Sequence, residues 1–140
     1  MPGDRDRGTV PPAAGIGMEE AHFPERAPID AYGNGGFRFA GMSHRGSILC
    51  VPSGIYAWAA RTPEDLDEAA FARAMAEAQA IDVLLVGVGR TPLRLSEPLG
   101  WALRGAGLRF DAMSTGAAVR TYNVMISERR AVAAALLAVD

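Results

Sequence analysis

The apolar positions change rhythm midway along the chain. Before residue 60 they alternate or fall in short blocks; beyond it they recur at helical spacing, interrupted by one continuous block. Ile29-Asp30-Ala31-Tyr32 leads into Asn34-Gly35, whose residues tolerate positive φ and mark a hairpin. Phe37 and Phe39 flank Arg38 as on a half-buried strand. Ser43-His44-Arg45-Gly46 reads as a second turn, Ser47 to Val51 as the next strand, and Ile55-Tyr56-Ala57-Trp58 as another beyond Pro52-Ser53-Gly54. The first half is predicted to be a β-meander with aromatic content.

Thr62-Pro63-Glu64-Asp65 then provides an N-cap, a proline at the first helical position and acids in the first turn. Leu66, Ala70, Ala74, Met75 and Ala78 mark the apolar stripe of the helix that this start predicts. Asp82-Val83-Leu84-Leu85-Val86-Gly87-Val88 is a run suited to a central parallel strand covered on both faces. A second helix follows Ser96, with Leu99, Ala102, Leu103 and Ala106 on one face, and ends at Gly105 or Gly107. Leu108, Phe110 and Ala112 alternate with Arg109 and Asp111 as a further strand. A third helix starts at Ser114-Thr115, and Ala131 to Val139 is expected to continue or restart it. Strand and helix alternating after a meander imply an α/β fold whose mixed sheet is flanked by helices.

Residues 1–27 differ in kind. Five of the nine prolines (Pro2, Pro11, Pro12, Pro24, Pro28) stand at or before position 28, among Gly3, Gly8, Gly15 and Gly17. Such a stretch buries too little apolar surface to offset its ordering entropy, so residues 1–27 are expected to be a flexible leader and 28–140 a single domain.

Composition narrows the function classes. The chain is 49% hydrophobic and 21% charged, an ordinary globular balance. All 14 basic residues are arginine, yet the net charge is −2, which argues against nucleic-acid binding. No run of 18 apolar residues predicts a transmembrane helix, and the N-terminus lacks a signal-peptide core. A cytoplasmic location is the resulting expectation. Cys50, the only cysteine, sits in the apolar run Ile48-Leu49-Cys50-Val51 and reads as a buried small hydrophobe. No cofactor motif and no metal-ligand spacing are present.

Catalytic groupings are scarce. His22 lies in the leader, His44 in an expected turn, and no serine has a nucleophile-elbow setting. Two loops nevertheless belong together if the topology is right. Gly87-Val88-Gly89-Arg90 leaves one parallel strand, and Met113-Ser114-Thr115-Gly116 leaves its neighbour, where ligands of α/β sheets bind. Gly87 and Gly89 allow close backbone approach, while Arg90, Thr115, Gly116, Arg120 and Asn123 could contact an anion. The plainer readings are a tight turn for the glycines and a solvated face (Gly116, Arg120, Asn123, Ser127) for the helix. Arg120 could equally pair with an acid of the chain. Thr115, Val119, Tyr122 and Ile126 form the adjacent apolar face, so Tyr122 is expected in the core.

The string Thr115-Gly116-Ala117-Ala118-Val119-Arg120-Thr121-Tyr122-Asn123-Val124 resembles the signature of a known family. It includes mitochondrial complex I assembly factor three and its bacterial homologues, a former domain of unknown function. Thr115, Ala118, Thr121, Tyr122 and Asn123 match that pattern, and Ile29 to Gly33, Gly36 to Arg38, Asp82 to Gly89, and Leu103-Arg104 with Gly107 resemble its other segments. Ser114 departs from an Asp, Val119 from a Cys, and Arg129 from a Gly, the last implying that the final helix runs on. The resemblance covers roughly Pro28 to Leu137. It implies a three-layer fold with a central mixed sheet, an N-terminal hairpin layer and flanking helices. It further implies a non-enzymatic interaction or assembly factor for a complex I-like respiratory complex. Its partners would be respiratory-complex subunits or another assembly factor, at the inner face of a membrane. Some bacterial members are encoded near protein-translocase genes. The alternative is a small-molecule or anion-binding protein, or a cryptic enzyme, with its pocket at the strand ends.

Overall fold

The computed structural model describes residues 23–140; residues 1–22, most of the expected leader and His22 with it, lie outside the described residues. Among the described residues eight strands and three α-helices form three layers. A three-stranded antiparallel sheet, in the order β1-β2-β3, is built from β1 (Ile29–Gly33), β2 (Gly36–Phe39) and β3 (Met42–Arg45). The main sheet has the order β5-β4-β8-β6-β7, from β4 (Ser47–Val51), β5 (Gly54–Trp58), β6 (Val83–Gly87), β7 (Phe110–Met113) and β8 (Val132–Leu136). β6 is parallel to both β7 and β8, whereas β4 is antiparallel to β5 and β8, so this sheet is mixed.

Helices α1 (Ala72–Ala76) and α2 (Glu97–Gly105) cover one face of the main sheet. Their core includes Phe71, Leu84, Val86, Leu99, Leu103 and Leu108. Helix α3 (Thr115–Ser127) and the three-stranded sheet share the other face, where Phe37, Phe39, Ile48, Leu85, Tyr122 and Val132 pack together. Each fully buried Leu or Phe contributes roughly 1.5–3 kcal/mol, so the two apolar cores decide the layering.

Local chemistry explains most of the element boundaries. Asn34 and Gly35, at φ 52° and 78°, close the β1–β2 hairpin as the sequence predicts. Ser96 caps α2 by accepting from the Leu99 amide, and Gly107, at φ 91°, lies beyond its end. Ser114 caps α3 through the Ala117 amide.

Four expectations need correction. Ala131 to Val139 is no helix: it supplies β8, whose five residues are all buried between the layers. Arg129 does not prolong α3, because it adopts φ 61°, with its amide bonded to the Ile126 carbonyl and that of Arg130 to Met125. Ser43-His44-Arg45 is strand β3, the turn falling earlier at Ala40-Gly41 with φ 51° and 76°. The helix expected after Thr62 is broken into short 3₁₀ turns around α1. There the Trp58 indole donates to the Ala70 carbonyl at 2.7 Å, taking up the carbonyl that a continuous helix would use.

The folded contacts begin before Pro28. Phe23 bridges to Ile55, Arg26 donates to the Val132 carbonyl at 2.8 Å, and Ala27 is buried.

Candidate functional site

The parallel pairing of β6 and β7 brings the two predicted loops side by side. The Thr115 amide donates to the Gly89 carbonyl at 2.8 Å, and the Gly89 amide donates back to the Thr115 hydroxyl at 3.1 Å. That hydroxyl also donates to the Leu137 carbonyl at 2.8 Å, and the Leu137 amide donates to the Gly87 carbonyl. Thr115 is fully buried, so its side chain ties the loop after β6 to the chain end after β8. Gly87 has a packing reason as well: a Cβ there would lie 2.9 Å from the Thr115 Cα. Gly89 stands at φ 109°, a backbone conformation that side chains rarely adopt.

The remaining predicted residues lie around this knot. A Cβ on Gly116 would strike the Tyr32 hydroxyl, so the β1 phenol rests on the first turn of α3. Arg90 donates to the Asp140 carbonyl at 2.6 Å, and the hairpin tip is held nearby by the Gly35 amide donating to Val139. Outside the strand ends the hairpin tip and the C-terminal residues are thus bonded to each other and to Arg90. Asn123 faces β1, where its Oδ1 accepts from the Ile29 amide at 2.8 Å and its Nδ2 donates to the Ile29 carbonyl at 2.9 Å. Arg120 is exposed, lies beside Gly116, and has no hydrogen bond or ion pair among the described residues.

Below α3, Tyr122 is fully buried and donates to the Ala27 carbonyl at 3.0 Å. Its hydroxyl also meets the Cys50 thiol, which burial pushes up to about 12. The same burial raises the Tyr122 phenol far above its ordinary range. Both groups are protonated at neutral pH, as core residues rather than reactive ones. Among the described residues no group of three or more His, Cys, Asp or Glu is placed to hold a metal ion.

A groove of about 450 Å³ lies elsewhere, along the three-stranded sheet between Ala31, Tyr32, Gly33, Gly36, Arg38, Ser43 and Arg45. Sequence reasoning placed Arg38 outward from its phenylalanine neighbours. The pattern Ser43-His44-Arg45-Gly46 hides the groove because it predicts a turn, whereas the register sets Arg45 on a strand opposite Gly36. The Asn123 clamp is hidden because nothing local links residue 123 to residue 29.

The fold and the signature helix agree with the comparisons. The family model described as a protein of unknown function (DUF498/DUF598) matches residues 29–137. An uncharacterized protein of Rhodobacter capsulatus is 42% identical over 84% of this chain and 90% of its own length. NADH dehydrogenase [ubiquinone] 1 alpha subcomplex assembly factor 3 of Mus musculus is 27% identical over 87% of this chain. The chain spans 66% of that mouse protein and 59% of its human counterpart. Among solved structures, one described as an outer membrane protein from Bartonella henselae is 56% identical with a TM-score of 0.82. The match covers 85% of this chain and all of that one. A Rhodopseudomonas palustris protein solved by NMR is 48% identical with a TM-score of 0.74, over 90% of this chain and 93% of its own. With more than half of its length matched by the family model, and its signature residues at the start and along the inner face of α3, the chain belongs to the DUF498/DUF598 family.

Proposed function

We propose that this protein is a non-enzymatic interaction factor that aids the assembly of a membrane respiratory complex of the complex I kind. The observation that carries the reading is the match to NADH dehydrogenase assembly factor 3 over 87% of this chain. The strand-end geometry supports it. Gly87, Gly89, Thr115 and Asn123 serve internal bonds and close packing, and Arg90 is bonded to the chain end. Of the seven residues expected at a ligand site, Arg120 carries a charge without a partner among the described residues. We assign it to partner contact.

Among the described residues no helix is long and apolar enough to cross a membrane. The proposed action is at the inner face of the membrane, on subunits or another assembly factor that reside there. Deletion of the gene should lower NADH:quinone activity of isolated membranes, and affinity purification from the native organism should recover respiratory-complex subunits. Unchanged activity together with recovery of none of those subunits would overturn the reading.

A further inference from the structure

We propose that the outer face of the β1-β2-β3 sheet docks an extended acidic segment of a partner protein, gripped by the guanidinium groups of Arg38 and Arg45. The inference rests on the assembly-factor reading only in taking the occupant to be a protein.

The trough is kept open by small residues: Ala31, Gly33, Gly36 and Ser43 line it. At Gly36 any side chain is excluded, because a Cβ there would run into the His44 carbonyl. Phe37 and Phe39 point into the core, so Arg38 between them projects from the opposite face. Register then fixes its neighbours. Arg38 stands opposite Ser43, and Arg45, two residues along β3, stands opposite Gly36. The two arginines are thus diagonal neighbours on one face, with backbone positions about 7–8 Å apart.

Neither guanidinium makes an ion pair or hydrogen bond among the described residues. Asp30, the acid at the β1 bulge, makes none either. Two like charges on one sheet face repel unless an anion joins them. The net charge of −2 shows that this basic pair is local and not part of a generally basic chain.

The spacing selects the occupant. Carboxylates two residues apart on an extended chain are separated by roughly 6.6 Å, close to the arginine diagonal. Each planar fork can hold one carboxylate through two parallel bonds. A single small anion drawn between both forks is the competing occupant, and displacement by inorganic phosphate reads it.

The test uses the full chain and a fluorescein-labelled peptide of alternating Glu and Thr, with a peptide of the same composition but all Glu in one block as comparison. Fluorescence anisotropy should show tighter binding of the alternating peptide, weakened by added salt. Arg38→Ala and Arg45→Ala should each weaken it about tenfold, since each removes charge-assisted bonds. Arg38→Lys should recover only part of the loss, because an ammonium lacks the fork. Arg94→Ala, outside the groove, should leave affinity unchanged, and thermal unfolding shows that each variant is folded. Equal binding of both peptides, unchanged affinity in both alanine variants, or full displacement of the peptide by inorganic phosphate would overturn the proposal. The two readings separate in vivo. If deletion lowers NADH:quinone activity but the Arg38→Ala/Arg45→Ala chain restores it fully, the groove fails and the assembly role stands. If the peptide binds as expected while deletion changes nothing, the reverse holds.

Discussion

Asn123 gives both polar ends of its side-chain amide to one residue, the amide and carbonyl of Ile29. The side chain thereby acts as a short strand partner, fastening the three-stranded sheet to α3. Asn123→Ala would leave two backbone groups in a half-buried place without partners, at a cost of about 1–3 kcal/mol. Urea unfolding should show a lower midpoint with an unchanged slope, because the folded core is otherwise intact. Asn123→Asp should destabilise as well, since a carboxylate cannot donate to the Ile29 carbonyl. A midpoint unchanged in both variants would show that the clamp contributes nothing. Arg120, one turn away, contrasts with it: its guanidinium is bound to nothing among the described residues. The sequence pattern placed Asn123 and Arg120 on one polar face, and only tertiary structure separates the buried tie from the exposed charge.

The elements that were legible were those whose signals are local. Asn34-Gly35, the Ser96 and Ser114 caps, and the apolar run of β6 each carry their own stereochemistry, and each stands where the pattern puts it. What could not be read depends on remote partners. Val132-Ala133-Ala134-Ala135-Leu136 has high helix propensity, but it fills the centre of the main sheet, with small side chains where two layers close on a strand. The break after Thr62 falls at Leu66, whose backbone is extended (ψ 93°), and the indole of β5 that takes the Ala70 carbonyl further on is a partner no helical periodicity contains. At the strand ends the juxtaposition of the two loops was legible, whereas the bonds that the hairpin tip and the C-terminal residues make there were not. Arg129 offers a test at this scale. Its φ of 61° puts a side chain in the left-handed region at the position where α3 turns back. Arg129→Gly should stabilise the protein by about 0.5–1 kcal/mol, the relieved strain exceeding the added freedom of the unfolded chain. A fall in melting temperature would show that the Arg129 side chain makes up for the strain.

At the scale of the whole molecule, two cores lie on opposite faces of the main sheet, and the one beneath α3 and the three-stranded sheet has the Cys50–Tyr122 pair, between β4 and α3, as its polar centre. That pairing makes overall stability depend on alkaline pH. Burial holds the thiol at about 12 in the folded protein against an ordinary 9.0. Below pH 9 both states keep the proton and the contribution is fully present. Between 9.0 and about 12 the unfolded thiol loses its proton while the folded one retains it. The folded state then binds more protons, and stability falls as pH rises, by about 1.4 kcal/mol per unit from this group. Tyr122 acts in the same direction from its ordinary 10.0 upward. The unfolding free energy measured in urea should therefore decline steeply above pH 9. In Cys50→Ala the protein should start less stable, because a cavity is opened in a fully buried site, yet the decline between pH 9 and 10 should be shallower. The difference in slope reports the Cys50 thiol together with the part of the Tyr122 shift that Cys50 itself causes. Identical slopes would mean that the thiol reaches solvent in the folded state, and that the three layers close less tightly around β4 than their packing indicates.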